Sequence, residues 1–357
     1  MNLDAVGLSA KVIATMQGAR AASTRSQYDA RWQAFEKWCA PRRVVPFQAP
    51  TVEVLNFLQE LMDRGLTFST IKVYLAAISA CHIGVDGKPV SQHEWVARFM
   101  KGARRLLPVR KSLVPPWDLA VVLDALCLPP FEPLESVDLK HLSLKTAMLV
   151  ALTTAKRVSD IHALSVSPEC ARFGETRVVL KPNPAFIPKN LLSACNPVEL
   201  LSFHPPPFAS EEDRRLHCLC PVRALRAYVD RTRTARRSEQ MFVSWDSRAM
   251  GKPITKVRLS QWIVETIRLA YTGMGMTPPE GLRAHSTRGM SASWGLCRGT
   301  SIQDVCLAAN WASPTTFVSF YRLDVAATSL AHTVLGVAAR RARARTGGTV
   351  GEEGGPQ

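Results

Sequence analysis

The chain is poor in negative charge and in long apolar runs. No stretch approaches the roughly 18 to 20 consecutive apolar residues that a membrane-spanning helix needs, so no membrane partner is expected. The N-terminus lacks the basic-then-apolar pattern of a secretory signal, and the nine cysteines are odd in number. Reduced thiols in a nuclear or cytosolic setting are therefore the expectation. Metal ligands do not gather either. The one crowded set, His217-Cys218-Leu219-Cys220, has no second ligand pair at a zinc-site spacing, and isolated cysteines usually serve as small buried hydrophobes. No metal or other cofactor is expected, and no internal repeat is visible.

What is present is an ordinary globular composition with an unusual charge. The chain has 357 residues, 46% of them hydrophobic, which gives room for two domains with cores of their own. Lys and Arg number 45 against 29 Asp and Glu, a net charge of +16. Residues 1–117 hold 16 basic and 8 acidic side chains and residues 118–357 hold 29 and 21, so each part is near +8. Such a surface attracts polyanions, and nucleic acid is the favoured partner over a membrane surface or general solubility.

In chain order, residues 1–22 form a loose, Ala-rich segment. Tyr28, Trp32, Phe35 and Cys39 then fall at helical spacing. A second helix follows Thr51 and ends at Gly65; a third begins near Ser69; a fourth opens with the capping box Ser91-x-x-Glu94 and runs through Trp95 and Phe99 to Leu107. Together they predict a small helical domain over 23–107. Arg98, Lys101, Arg104, Arg105, Arg110 and Lys111 follow one another without an intervening acid, into a Pro-punctuated linker over 108–117. The linker reads as a basic strap that suits contact with a DNA duplex.

A larger domain spans 118–341. Helices are expected near 118–127 and 138–156, the second apolar almost all round and so central and buried. Three short strands are expected at 177–180, 186–188 and 198–203, in an antiparallel sheet. Helices resume at 221–225 and near 258–271, with Phe242-Val243 extended between them. Ser301 caps a helix to about Asn310, and Ser313-Pro314 starts the one leading to Tyr321. Residues 325–339 make a last amphipathic stretch, and 342–357 are expected to be disordered.

Five features in order give this domain its chemistry: Arg157 in Ala155-Lys156-Arg157-Val158-Ser159-Asp160, a Lys-bearing hairpin, His285-Ser286-Thr287-Arg288, Trp311 and Tyr321. Each alone is weak, since a His-x-x-Arg arises by chance and a Tyr or Trp is most often core. The ordered set resembles the tyrosine recombinase (phage integrase) family over roughly residues 23–330, with wording most like the recombinases of DIRS-type retrotransposons. The resemblance implies a mainly α chain with a small antiparallel sheet in its catalytic domain. It also implies the two-domain fold of DNA-breaking–rejoining enzymes, a helical SAM-like core-binding domain followed by the catalytic domain.

It implies roles as well. Arg157 and Arg288 would clamp the phosphate, because a planar guanidinium matches two oxygens at once. Tyr321 would be the nucleophile, forming a 3′-phosphotyrosyl bond, with His285 as base. Trp311 would donate its indole N–H to a phosphate oxygen without being able to shuttle a proton. A hairpin lysine would be the general acid: Lys189, favoured by the Ile187-Pro188-Lys189 wording, or Lys181. Asp160 would orient a neighbour. Two departures stand out: Ala155 replaces the Gly usual before the first Arg, and Trp311 precedes Tyr321 by one residue more than is common.

Neither ATP nor metal is implied. Double-stranded DNA is the expected partner, with a homotetramer on DNA and a monomer when free, in the nucleus, inserting circular retroelement DNA. A decayed or domesticated DNA-binding protein and a type IB topoisomerase are the rival readings.

Overall fold

Aromatic side chains spaced by a helical turn build the first core. In the computed structural model, which describes residues 9–108, 112–188, 197–203 and 205–325, the chain divides into two units, Met1–Lys111 and Ser112–Gln357. The first holds α1 (Ala10–Gly18), α2 (Ala22–Cys39), α3 (Thr51–Asp63), α4 (Phe68–Cys81) and α5 (Glu94–Leu106). Trp32, Phe35 and Cys39 of α2 are buried with Phe57, Leu58 and Leu61 of α3 and Ile71 and Ile78 of α4. Phe35 meets Phe57 at a 5.0 Å ring separation, a tilted pairing that adds to the gain from burial.

The expected capping box at Ser91 does not form. Val90–Gln92 is a 3₁₀ turn, Ser91 Oγ bonds Ser79 Oγ at 2.8 Å, and α5 starts two residues later with His93 as its cap, the imidazole Nδ1 accepting the Trp95 N–H. Val96 and Ala103 face the core, while Trp95 is 57% exposed. Arg98, Lys101, Arg104 and Arg105 are all exposed on α5. Arg110 and Lys111 lie outside the described residues.

The second unit is wrapped around α7 (Leu139–Thr154), whose residues from Leu142 to Ala151 are all buried. It contacts α10 (Pro221–Thr232), α11 (Lys256–Gly273) and α12 (Ser286–Cys297); α6 (Leu119–Leu126) packs on α11. A helix buried on every face must satisfy its polar side chains internally. Thr146 and Thr154 bond carbonyls one turn back at 2.7 Å, and Lys145, fully buried, donates to Leu126 O at 2.7 Å and pairs with Glu132 at 2.5 Å. Arg223 forks onto the same carboxylate at 2.7 and 3.2 Å.

The small sheet differs from expectation in one strand. β1 (Ala171–Phe173), β2 (Arg177–Leu180) and β3 (Val198–Leu201) are antiparallel in the order β1-β2-β3, with Phe173 opposite Val178 and Leu180 opposite Val198. Residues 186–188 are not a strand, and Ile187 is 73% exposed. Pro182, Pro184 and Pro188 remove ladder donors there. The helices α8 (Val158–His162) and α9 (Glu211–Cys218) were not anticipated; α9 buries no residue, so it has no apolar period to read. The expected extension at Phe242-Val243 is present as a bridge from Val243 to Pro253. The chain closes through α13 (Ile302–Ala309) and α14 (Pro314–Phe320). The expected C-terminal stretch and tail, beyond residue 325, lie outside the described residues.

Burial would raise the Glu132 carboxyl, but the Arg223 hydrogen bond and the Lys145 charge hold it below the ordinary carboxylate range. A depressed carboxyl stabilises the fold above its unfolded pKa and loses that contribution as the pH falls through the folded one. Thermal melts are therefore expected to show a stability loss below about pH 4 that Glu132→Ala lacks. At neutral pH Glu132→Ala is expected to cost about 3–5 kcal/mol, because it strands a buried ammonium.

Candidate active site

Helix ends and two left-handed residues, Ala155 and Asn310, bring the motif residues together. α12 begins directly after His285, its first turn closed by Thr287 Oγ1 on Ala284 O at 2.8 Å. Arg288, three residues on from an exposed His285, points inward and is 1% exposed. Its Nη2 donates to Ala309 O at 3.0 Å. Its Nε and Nη1 are buried without a protein partner.

The guanidinium carbon lies 4.9 Å from the Trp311 ring and 5.2 Å from the Tyr321 ring. Burial pulls the Arg288 pKa down to about 10, and the nearby positive Arg157 adds to the fall while Tyr321 opposes it. Its folded value lies below its unfolded one, so the charge opposes folding at every pH under about 10. At neutral pH the group is nonetheless cationic, with two N–H groups lacking acceptors.

Trp311 arrives through Asn310, which ends α13 in the left-handed region at φ 54°. The indole is buried and its Nε1 is also without a partner. Its ring lies 4.6 Å from that of Tyr321 at 32°. Tyr321 itself is not within the helix expected to carry it. α14 stops at Phe320 and Tyr321 is the C-cap, its N–H on Phe317 O at 2.8 Å. Its hydroxyl lies 3.1 Å from His285 Nε2.

Arg157 reaches the site because α7 ends at Ala155, at φ 49°. An L-residue in that region costs about 1–2 kcal/mol, which explains the usual glycine. Here the Ala155 methyl is buried with Ala309, Trp311 and Phe317, so the side chain has packing to offset the strain. Arg157 caps α8; its N–H bonds the buried Asp160 carboxylate at 3.3 Å and its guanidinium is 4.0 Å from the same oxygen. Asp160 is thus tied to the Arg157 backbone and lies near its guanidinium. Arg157 and His285 line a common open groove with Ser260, Gln261 and Arg283.

Lys181, just after β2, stands apart: Pro182 lines a small cavity with Lys156, Asp160 and Asn310, whereas Lys181 is exposed beside Glu169, Arg172 and Arg177. The described contacts do not bring Lys181 to the Arg288–Tyr321 cluster. Lys189 lies outside the described residues.

Sequence reasoning passed over the supports of Tyr321. A Cβ on Gly289 would stand 2.9 Å from Tyr321 O, so this glycine admits the Tyr321 backbone onto α12. Ser293 Oγ, one turn further, accepts the Leu323 N–H at 2.8 Å. The signal was available: a glycine inside a helix costs about 1 kcal/mol and needs a reason.

This fold, mainly helical with a three-stranded antiparallel sheet, is that of the tyrosine recombinase catalytic domain. It is similar to the lambda integrase solved as a dimer bound to a COC′ core site, at a TM-score of 0.51 and 15% identity over 89% of this chain and 76% of that one. It is similar also to the XerH site-specific recombinase bound to difH substrate in a pre-cleavage complex, at 0.53 and 14% over 87% and 78%. The Tn1549 transposon integrase in complex with transposon right end DNA aligns at 0.52 and 13% over 82% and 85%. At these identities the likeness is one of fold. No protein-family model matches the chain, and no curated protein sequence matches it.

Gly289→Ala is expected to destabilise by about 1–3 kcal/mol in chemical denaturation, whereas Gly102→Ala in α5, where a Cβ meets nothing, is expected to stabilise by about 0.5–1 kcal/mol. Inorganic phosphate is expected to raise the melting temperature of the wild type. Arg288→Leu, at least as stable as wild type in phosphate-free buffer, is expected to show no such rise.

Proposed function

We propose that the chain belongs to the tyrosine recombinases and is a site-specific DNA recombinase or integrase that cleaves and rejoins strands through Tyr321. The observation that carries this reading is the placement of the Tyr321 hydroxyl 3.1 Å from His285 Nε2 and against a buried Arg288 with two unpartnered N–H groups. A phosphodiester supplies what those donors lack. Its non-bridging oxygens would take Arg288 Nε and Nη1, the Trp311 Nε1–H and the Arg157 fork, and pre-placed donors of this type usually give the largest share of barrier lowering.

The Tyr321 oxygen attacks phosphorus as its proton passes to His285 Nε2. The bond to the 5′ oxygen breaks, and that oxygen takes a proton from Lys189, with Lys181 the runner-up whose exposed place just after β2 makes it the weaker choice. The products are a 3′-phosphotyrosyl bond and a free 5′-hydroxyl. No water enters, so the phosphodiester energy is kept, and a 5′-hydroxyl from a second duplex reverses the step. Neither ATP nor a divalent metal is invoked.

Arg98, Lys101, Arg104 and Arg105 on α5, with Arg110 and Lys111, would contact duplex phosphates, which give affinity but no sequence information. The solved lambda, XerH and Tn1549 proteins are each held on DNA, which supports the same partner here. The DIRS-like wording supports a finer reading: a monomer that assembles as a homotetramer on DNA in the nucleus and inserts circular retroelement DNA.

Covalent trapping on nicked duplexes carrying the element's terminal and circle-junction sequences, without added metal, tests this. A protein–DNA adduct on a denaturing gel is expected for wild type and not for Tyr321→Phe, with adduct formation reduced about 10²–10³-fold in Arg288→Ala. Salt-sensitive binding without any adduct would instead make the chain a DNA-binding relic, and supercoil relaxation without site preference would make it a topoisomerase.

A further inference from the structure

The segment that leads the chain into the second unit is hydrogen-bonded on both flanks of the His285–Tyr321 contact. The Leu113 carbonyl accepts the Asp324 N–H at 2.8 Å, three residues past Tyr321. The Trp117 indole, 2% exposed, donates to Ser286 Oγ at 2.8 Å, and that hydroxyl donates on to Arg283 O at 2.6 Å. Ser286 directly follows His285. A third bond, from the Asp118 N–H to Tyr271 Oη at 2.6 Å, fixes the segment to the end of α11. Burial of apolar surface does not account for the first attachment, since Leu113 is 41% exposed.

We propose that residues 113–117 position the reacting groups, with Trp117, acting through Ser286, holding His285 in register with Tyr321. The inference rests on the recombinase reading. Both partners of the reacting hydrogen bond sit at helix ends: His285 is the N-cap of α12 and Tyr321 the C-cap of the seven-residue α14. Helix ends fray and open at low free energy, so a 3.1 Å contact between two of them depends on what pins each. Gly289 and Ser293 pin the Tyr321 side from α12, and the Leu113 carbonyl pins it from the other direction.

Trp117 pins the His285 side. Its N–H can only donate, and Ser286 Oγ is the acceptor it has. The same segment is the covalent route to the first unit.

The test is single-turnover adduct formation on nicked duplexes from about pH 6 to 10. It compares the wild type, Trp117→Phe, Ser286→Ala and the double variant. Non-covalent duplex affinity is measured in the Tyr321→Phe background, and melting temperature is measured for each protein. Each single change is expected to slow adduct formation about tenfold and the double change by no more than that, because both cut one connection. The rate profile is expected to rise more steeply with pH, since solution hydroxide must then take the phenol proton that His285 otherwise accepts.

Duplex affinity is expected to stay within about twofold, as no phosphate contact is removed. An unchanged rate in Trp117→Phe overturns the proposal. So does a rate that falls only where the variant has melted, or single effects that multiply to about 100-fold with no change in pH profile. A wild type that forms no adduct overturns the recombinase reading itself, whereas a wild-type adduct with an unaltered Trp117→Phe overturns the positioning role alone.

Discussion

A guanidinium with two N–H groups facing no acceptor is costly in a protein interior, and Arg288 occupies such a place with 1% of its surface exposed. Much of the second unit can be understood as what makes that placement tolerable. The Ala309 carbonyl takes one donor and the faces of Trp311 and Tyr321 lie against the cation, while the nearby Arg157 works against it. The net result is a positive charge with unmet directional bonds, which is an anion site in waiting. Desolvation that weakens the free protein is the same desolvation that strengthens the bond to a phosphate.

The supports for that charge are spread along the chain and meet only through α7. Its buried length gives α10, α11 and α12 a common surface, and its left-handed exit at Ala155 aims Arg157 toward α12. The Lys145–Glu132–Arg223 network then holds α7 against the loop before it and α10 beyond it. A buried network of this kind fixes one arrangement more than it stabilises one. The site needs one arrangement, since its donors come from four separate elements.

Local periodicity made the helices of both units legible, α7 above all, because an all-round apolar run has few other homes. The order Arg157, His285, Arg288, Trp311, Tyr321 was legible too: Trp311 and Tyr321 lie against the Arg288 guanidinium, His285 reaches Tyr321, and Arg157 shares a groove with His285. What escaped were features without a period of their own: a three-residue β1, a wholly exposed α9, and residues 186–188, where β-type composition was overruled by proline's missing N–H. The contact from Trp117 to Ser286 spans 169 residues, a separation across which no pattern in the chain announces a partner. Gly289 is a different case, readable in principle from the cost of a glycine in a helix, and Ala155 shows how a methyl can be kept in a glycine's position when neighbouring side chains pack on it.

The placement of Tyr321 one residue beyond α14 has a consequence of its own. In the proposed reaction this side chain spends part of the cycle as a tether, bonded to a strand end that has to wait while another strand arrives. A tyrosine in mid-helix would drag the whole helix with every displacement of its cargo. One at the terminus, held by a backbone N–H to Phe317, by a glycine-floored contact and by a serine hydroxyl at Leu323, can give way by a few single bonds and return. The hold on the nucleophile is made of small, separately breakable parts, which suits a group that must be aligned before bond formation and slack after it.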